Sequence, residues 1–157
     1  MTRRAILMQS VAALAVGALA ALPSPGRAAD INLTYAFFAP AQTFPGRQMA
    51  HWAEEIKKRT NGKVEVRTFP GGSLLSARDM YDGVSKGVAD IGLGSPSYDP
   101  GRFPLTSGIS LPLGFPSSTV ASQVLWELTK EFKPKEYESF KVIAMFTTEP
   151  GHIQTNK

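Results

Sequence analysis

Strand and helix patterns alternate over the first half of the chain, and this alternation restricts its fold more than any other feature. Residues 31–38 favour an extended conformation because Thr, Tyr and Phe are common in strands. A helical stripe follows, with apolar residues at i, i+3, i+4 and i+7: Met49, Trp52, Ala53 and Ile56. Residues 63–69 and 88–94 are further strand candidates, separated by a short helix. The order strand–helix–strand–helix–strand predicts an α/β fold with a mostly parallel sheet flanked by helices.

Local signals mark where the helices begin and end. The pair Asn61-Gly62 predicts the end of the first helix, and Gly87 predicts the end of the second. Ser76 followed by Asp79 resembles a capped helix start. A later helix is predicted over Ser118–Phe132, and an apolar segment from Phe140 predicts one more strand.

The N-terminus has the layout of a cleaved secretory signal peptide, predicted over residues 1–28. Two arginines precede an apolar stretch that is clearest from Val11 to Leu22, and small residues suited to cleavage follow near Ala28. An uncleaved anchor is the alternative, although the stretch is short for a membrane span of about 20 residues. Arg3-Arg4 also fits a twin-arginine export signal, and plain signals contain such pairs too.

The net charge of +4 depends largely on this segment. Removing it takes away three of the 17 basic residues and none of the 13 acidic ones, which leaves a charge of +1. We therefore expect no nucleic-acid partner. With no cysteine and two histidines (His51 and His152), a zinc site is hard to assemble, and no phosphate-binding glycine loop is present. No metal or cofactor is expected.

Candidate binding residues lie in the loops that follow the predicted strands, where open α/β sheets bind ligands. These loops offer hydroxyls, aromatic rings and exposed backbone amides at glycine, a mixture suited to reversible binding of a small polar or anionic molecule. The candidates are Phe38, Thr43, Phe44, Ser95, Tyr98, Glu149 and His152. They include no nucleophile elbow and no paired carboxylates, so an enzyme is not expected.

Five of the seven candidates also have a purely structural interpretation, and the role of His152 stays open. Phe38 and Phe44 suit core or hinge packing, and Ser95 suits the capping of a turn. Glu149 suits a solvated loop. Tyr98 combines an apolar ring with a polar tip and fits either role.

Three stretches together resemble one protein family. They are "RTNGKVEVRTFPGG", "ARDMYDGVSKGVADIGLG" and "LPLGFPSSTVASQVLWEL". In combination they resemble the N-terminal half of the solute-binding proteins of tripartite ATP-independent periplasmic (TRAP) transporters, the DctP-like family. The resemblance covers about residues 30–157.

The resemblance implies a periplasmic binding protein-like fold of type II, the two-lobed Venus-flytrap architecture. Residues 30–157 would form mostly its N-terminal lobe, with a mixed or parallel sheet. Such a protein captures an organic acid in the periplasm and delivers it to the membrane permease subunits. The resemblance also implies that most of the second lobe, and the arginine that binds the substrate carboxylate, lie beyond Lys157. The sequence is therefore expected to be truncated or a fragment.

Two other functions remain open at this stage. One is an exported sensor or scavenger domain with the same fold. The other is a truncated fragment without function, since a lone lobe would expose an apolar cleft wall.

Overall fold

The computed structural model describes residues 29–149, and the predicted signal peptide and His152 lie outside this range. Three strands form one parallel sheet in the order β2-β1-β3: β1 (Ile31–Phe37), β2 (Val64–Phe69) and β3 (Ile91–Leu93). Four α-helices accompany them: α1 (Phe44–Arg59), α2 (Met80–Ser85), α3 (Pro104–Ser107) and α4 (Ser118–Phe132). Single 3-10 turns lie at Pro96–Tyr98, Gly108–Ser110 and Lys135–Tyr137. Among these described residues, no helix is long and apolar enough to cross a membrane.

Helices α1 and α2 cover opposite faces of the sheet. The ring of Tyr35 on β1 packs edge-on against Trp52 of α1, with ring centroids 5.8 Å apart. The next residue, Ala36, is fully buried in a cluster with Met80 of α2 and Leu75. Because successive side chains of a strand point to opposite faces, the two helices lie on opposite sides. The predicted α/β layering is confirmed.

The ends of α1 and α2 follow one capping pattern. Beyond α1, the amides of Asn61 and Gly62 donate to the carbonyls of Lys58 and Lys57, at 3.1 and 2.8 Å. Both of these residues have positive φ, 51° and 77°, which Asn and Gly tolerate best. Gly87 (φ 74°) ends α2 in the same way. The helix ends predicted at these positions are confirmed.

Helix α2 and strand β3 are both shorter than predicted. The helix begins at Met80, since Ser76 accepts from the amide of Asp79 in a turn that precedes the helix. The strand begins at Ile91, since the amide of Val88 is bonded to Gly83 at the end of α2. Residues 88–90, which the sequence pattern assigns to the strand, therefore belong to the turn between α2 and β3.

The prediction of a strand from Phe140 is wrong for the described residues, because residues 141–149 form no strand. This segment runs beside α4 instead. The amide of Thr147 donates to Ser122 Oγ (2.8 Å), and its hydroxyl donates to the carbonyl of Ser118 (3.0 Å). Since these groups of Thr147 bond to a helix, the apolar composition of the segment serves helix packing here.

An aromatic cluster holds the region after β3 together. Phe103 is fully buried between Tyr81 and Tyr137, with ring centroids 4.3 and 5.0 Å from its own. Arg102 lies over this cluster, with its guanidinium carbon 5.7 Å from the centroid of Phe103. Large rings of this kind contribute strongly to stability because they remove much apolar surface from water.

A side chain joins β1 to the residue that precedes β3. Asp90 Oδ2 accepts from both the amide and the hydroxyl of Thr34, each at 2.7 Å, just before β3 begins to pair with β1. These hydrogen bonds from Thr34 favour the charged carboxylate and lower the pKa of Asp90 below its ordinary value. The carboxylate thus extends the β1–β3 ladder by one residue.

We expect Asp90→Asn to lower the free energy of unfolding by about 1 kcal/mol near neutral pH, a modest value because the carboxylate is exposed. The native pKa of Asp90 is depressed, so its stabilising effect is complete above the ordinary pKa of about 4. That effect is lost as pH falls through the lower native value. Urea unfolding at about pH 7 and about pH 3 measures this difference.

Glu127→Gln is the matched control, because Glu127 forms an exposed pair with Lys130 on α4. It should change the free energy of unfolding by less than about 0.5 kcal/mol. A difference between wild type and Asp90→Asn that stays constant with pH would contradict the role of the charge.

Candidate functional site

The connections between strands reverse direction at a point that lies between β1 and β3 in the sheet. The chain leaves β1 for β2 on one side, then crosses back to β3 on the other side. In open parallel sheets, ligands bind in the crevice outside the carboxyl ends of the strands at this switch point. Phe38 directly follows β1, and Ser95 and Tyr98 follow β3. The topology therefore brings these three predicted residues to one edge.

Phe38 and Tyr98 are in direct contact at this edge. Their ring centroids lie 5.1 Å apart at 70°, an edge-to-face arrangement. Phe38 also contacts Phe37, with centroids 4.9 Å apart, and packs against the cluster around Met80. Tyr98 remains 45% exposed. Phe38 thus serves packing on its inner side and supports an exposed ring on its outer side.

Two hydroxyls lie beside Tyr98 in the turn at Pro96–Tyr98. The Oγ atoms of Ser95 and Ser97 are 2.8 Å apart, within hydrogen-bonding distance. The carbonyl of Ser95 accepts from the amide of Tyr98 at 3.1 Å. The carbonyl, not the hydroxyl, of Ser95 therefore closes the turn, and one of the paired hydroxyls retains a hydrogen to donate to a ligand.

Thr43 and Phe44 form the start of α1. The hydroxyl of Thr43 caps the helix by accepting from the amide of Gly46 (3.3 Å), and it donates to the carbonyl of Pro40 (2.7 Å). Phe44 is the first helical residue and is 67% exposed. The structural role of Thr43 was readable in the sequence, since Thr followed by Pro within two residues is typical of a helix N-terminus.

The loops after β1 and β2 are tied to each other by backbone hydrogen bonds. The amide of Gly71 donates to the carbonyl of Ala39 (2.8 Å), and that of Gly72 to Phe37 (3.1 Å). Both glycines have φ near 71°, which side-chain-bearing residues rarely adopt. The carboxyl edge is therefore a joined surface of two loops beside the loop after β3.

Arg102 fixes the far end of the loop that carries Tyr98, a role that sequence reasoning missed. One of its terminal nitrogens donates to Asp82 of α2 (2.6 Å) and to Asp99 (3.2 Å). The hydrogen bond to Asp82 is the main cause that raises the pKa of Arg102. The contact could not be read from sequence because Asp82 lies 20 residues away. Arg102 is thus committed to holding the loop against α2.

The hydrogen bond of Glu149 is to helix α4 and not to the predicted residues at the sheet edge. Its carboxylate accepts from the hydroxyl of Ser118 at the first turn of α4 (2.5 Å). Its expected place at the sheet edge depended on the strand from Phe140, which the described residues do not form. A ligand-binding role for Glu149 stays a prediction, and His152 lies outside the described residues.

The side chains at this edge present hydroxyl groups and aromatic rings. Within residues 29–149, no three His, Cys, Asp or Glu side chains come together in a way that could hold a metal ion. The edge is therefore suited to binding a molecule through apolar contact and hydrogen bonds.

The family model for bacterial extracellular solute-binding proteins of family 7 (DctP) matches residues 35–157. The chain belongs to this family. It is similar to a TRAP periplasmic solute-binding protein from Desulfovibrio salexigens, at 55% identity over 75% of this chain and a TM-score of 0.71. The solved DctP relatives are periplasmic binding proteins of type II, so the expected fold class is confirmed.

Two further solved structures share the fold at lower identity. One is a marine metagenome TRAP solute-binding protein described as specific for aromatic acid ligands (28% identity, 74% of this chain, TM-score 0.70). The other, from Rhodoferax ferrireducens, is in complex with copurified benzoate (25% identity, 73% of this chain, TM-score 0.68). The chain spans 37%, 37% and 36% of the lengths of these three relatives.

Proposed function

We propose that the protein is the periplasmic solute-binding component of a TRAP-type transporter and captures a small organic acid. The observation that carries the proposal is the group of Phe38, Ser95 and Tyr98 at the switch point of a DctP-family sheet. Apolar rings beside hydroxyls suit a ligand with an apolar body and a polar end. The metagenome relative and the Rhodoferax relative both bind carboxylic acids, which supports this ligand class.

Family membership also supports a role in transport, as part of the same proposal. A soluble binding protein of this family would pass its acid to membrane permease subunits. The basic and apolar N-terminal segment, residues 1–28, supports export to the periplasm. Membership of a solute-binding family supports binding without turnover.

A thermal-shift screen of organic acids tests the proposal. An acid present at about 100 times its dissociation constant stabilises the native state by about 2.7 kcal/mol, which raises the melting temperature by several degrees. The matched control is the methyl ester of each active acid, which keeps the carbon skeleton and removes the charge.

We expect a rise with at least one acid and a smaller rise, or none, with its ester. A screen of aliphatic, hydroxy, keto and aromatic acids in which no acid raises the melting temperature would contradict the proposal. Equal shifts by acid and ester would contradict recognition of the carboxylate.

A further inference from the structure

A groove of about 460 Å³ lies at the C-terminal end of α4 and shares no residue with the carboxyl edge of the sheet. Just after the helix, Lys133 adopts a left-handed conformation (φ 43°, ψ 63°), which ends the helical path. The chain later returns along α4, since the amide of Thr147 donates to Ser122. The groove is open space between the last turns of α4 and the segment that follows them. Its volume is within the range of ligand-sized sites.

The floor of this groove is apolar and is held in place by packing. It consists of rings and aliphatic groups from α4 and from the chain after it: Trp126, Pro134, Tyr137, Phe140 and Val142. Tyr137 is buried and stacks on Phe103, with ring centroids 5.0 Å apart at 28°. Trp126 is half-buried, so part of its indole stays open to a partner. Trp and Tyr are enriched among the residues that contribute most to protein–protein affinity.

Positive charge surrounds the apolar floor. The charged lining residues are three exposed lysines and one acid: Lys130, Lys133, Lys135 and Glu138. Lys130 pairs with Glu127 at 2.7 Å, and its ammonium lies 5.6 Å from the centroid of Trp126. Lys133 and Lys135 form no ion pair among residues 29–149. The rim therefore offers two unneutralised cations to an anionic partner.

The polar groups deeper in the groove are already bonded or enclosed. The hydroxyl of Thr129 donates to the carbonyl of Leu125 at 2.7 Å, and the Tyr137 oxygen is enclosed by protein atoms. Pockets for small molecules orient their ligands through polar groups that converge within an apolar cavity. An apolar centre with a charged rim is instead typical of a protein–protein interface. The groove therefore fits a peptide segment better than a small solute.

The charge of the rim favours an acidic segment. Carboxylates would meet Lys133 and Lys135 while an apolar side chain between them covers Trp126. The parts of this sequence outside the described residues do not supply such a match, because residues 1–28 and 150–157 contain no Asp or Glu. We propose that the groove docks an acidic segment of another protein, in which carboxylates flank an apolar residue. This inference goes beyond the proposed function, since the groove lies outside the proposed solute site.

Fluorescence titration of the purified protein with capped peptides tests this inference. The chain has two tryptophans, and Trp52 packs against Tyr35, so Trp126 reports on occupancy of the groove. The probe is Glu-Asp-Leu-Phe-Asp-Glu. One matched peptide, Lys-Lys-Leu-Phe-Lys-Lys, reverses the charge, and another, Glu-Asp-Gly-Ser-Asp-Glu, removes the apolar pair.

We expect the probe to change the Trp126 emission with a dissociation constant of about 0.1 mM at low salt, since the contact area is small. The two matched peptides should bind at least about tenfold more weakly. Raising the salt concentration to about 0.5 M should weaken binding of the probe by about fivefold or more, because salt screens the exposed lysines.

The variant Lys133→Glu/Lys135→Glu should weaken binding of the probe by about tenfold or more, because two cations become anions. Trp126→Leu, followed by isothermal titration calorimetry, should weaken it by about fivefold or more. The matched control is Lys58→Glu/Lys63→Glu, which makes the same change in net charge at exposed lysines outside the groove. The control should bind the probe within about twofold of wild type.

Each contrary outcome overturns a stated part of the inference. Equal binding of the three peptides, or no binding of the probe at about 1 mM, contradicts recognition of an acidic and apolar segment. Equal weakening by the control pair attributes the effect to net charge and overturns the assigned groove. Self-association in sedimentation experiments that is lost in Lys133→Glu/Lys135→Glu would show that a second copy occupies the groove, which overturns the acidic partner.

Discussion

Replacing Phe103 with alanine is expected to lower the free energy of unfolding by about 3–5 kcal/mol. Phe103 is fully buried and lies 4.3 Å from Tyr81 and 5.0 Å from Tyr137, measured between ring centroids. Alanine would leave a cavity in this cluster and remove the ring contacts. Since Arg102 lies over the same rings, the loop that carries Tyr98 should also loosen.

Urea unfolding followed by circular dichroism measures this loss. Phe132→Ala is the matched control, because it removes the same atoms from a ring that is 67% exposed. The control should change the free energy of unfolding by less than about 0.5 kcal/mol. Similar losses in the two variants would show that the cluster around Phe103 is not a core.

The change Gly46→Ala is expected to lower the free energy of unfolding by about 2 kcal/mol or more. A Cβ atom at Gly46 would lie 2.5 Å from the carbonyl oxygen of Pro40 and 2.7 Å from that of Ala41. These are backbone atoms of the loop after β1, so they cannot turn aside as a flexible side chain can. The loop must therefore move away from the first turn of α1, despite the better helix propensity of alanine.

Gly108→Ala is the control for this substitution. A Cβ atom there meets nothing within 4 Å, and the residue has φ of −58°, which alanine adopts freely. We expect it to be neutral or to stabilise by up to about 1 kcal/mol. Thermal or urea unfolding of both variants compares them, and a Gly46→Ala protein as stable as wild type would contradict the close packing of the loop.

Local patterns predicted the elements whose formation depends on nearby residues. The stripe containing Met49 and the end at Asn61-Gly62 defined most of α1, and α4 has the predicted bounds Ser118–Phe132. Their periodicity and capping signals are contained within one helix. The segment after Phe140 shows the limit. Its apolar composition suits a strand or a helix-packed coil, and Thr147 bonds to residues 25 and 29 positions away.

Part of the candidate site was likewise predictable from the sequence, and part was not. The rule for open sheets correctly predicted that Phe38 and Tyr98 follow adjacent strands, and their rings are in contact. The placement of Glu149 at the same edge required a strand that the described residues do not form. The contact between Arg102 and Asp82 depends on how α2 is oriented, which no local spacing encodes. The ligand-binding roles of all these residues stay predictions.

The hydrogen bonds from Gly71 and Gly72 to the end of β1 and the loop after it affect the energetics of association. Ordering a free loop around a ligand lowers its conformational entropy, and that loss subtracts from affinity. Here the backbone of two loops is already restrained before any solute arrives. A small acid with few contacts could therefore bind with useful affinity, because little backbone freedom remains to be lost.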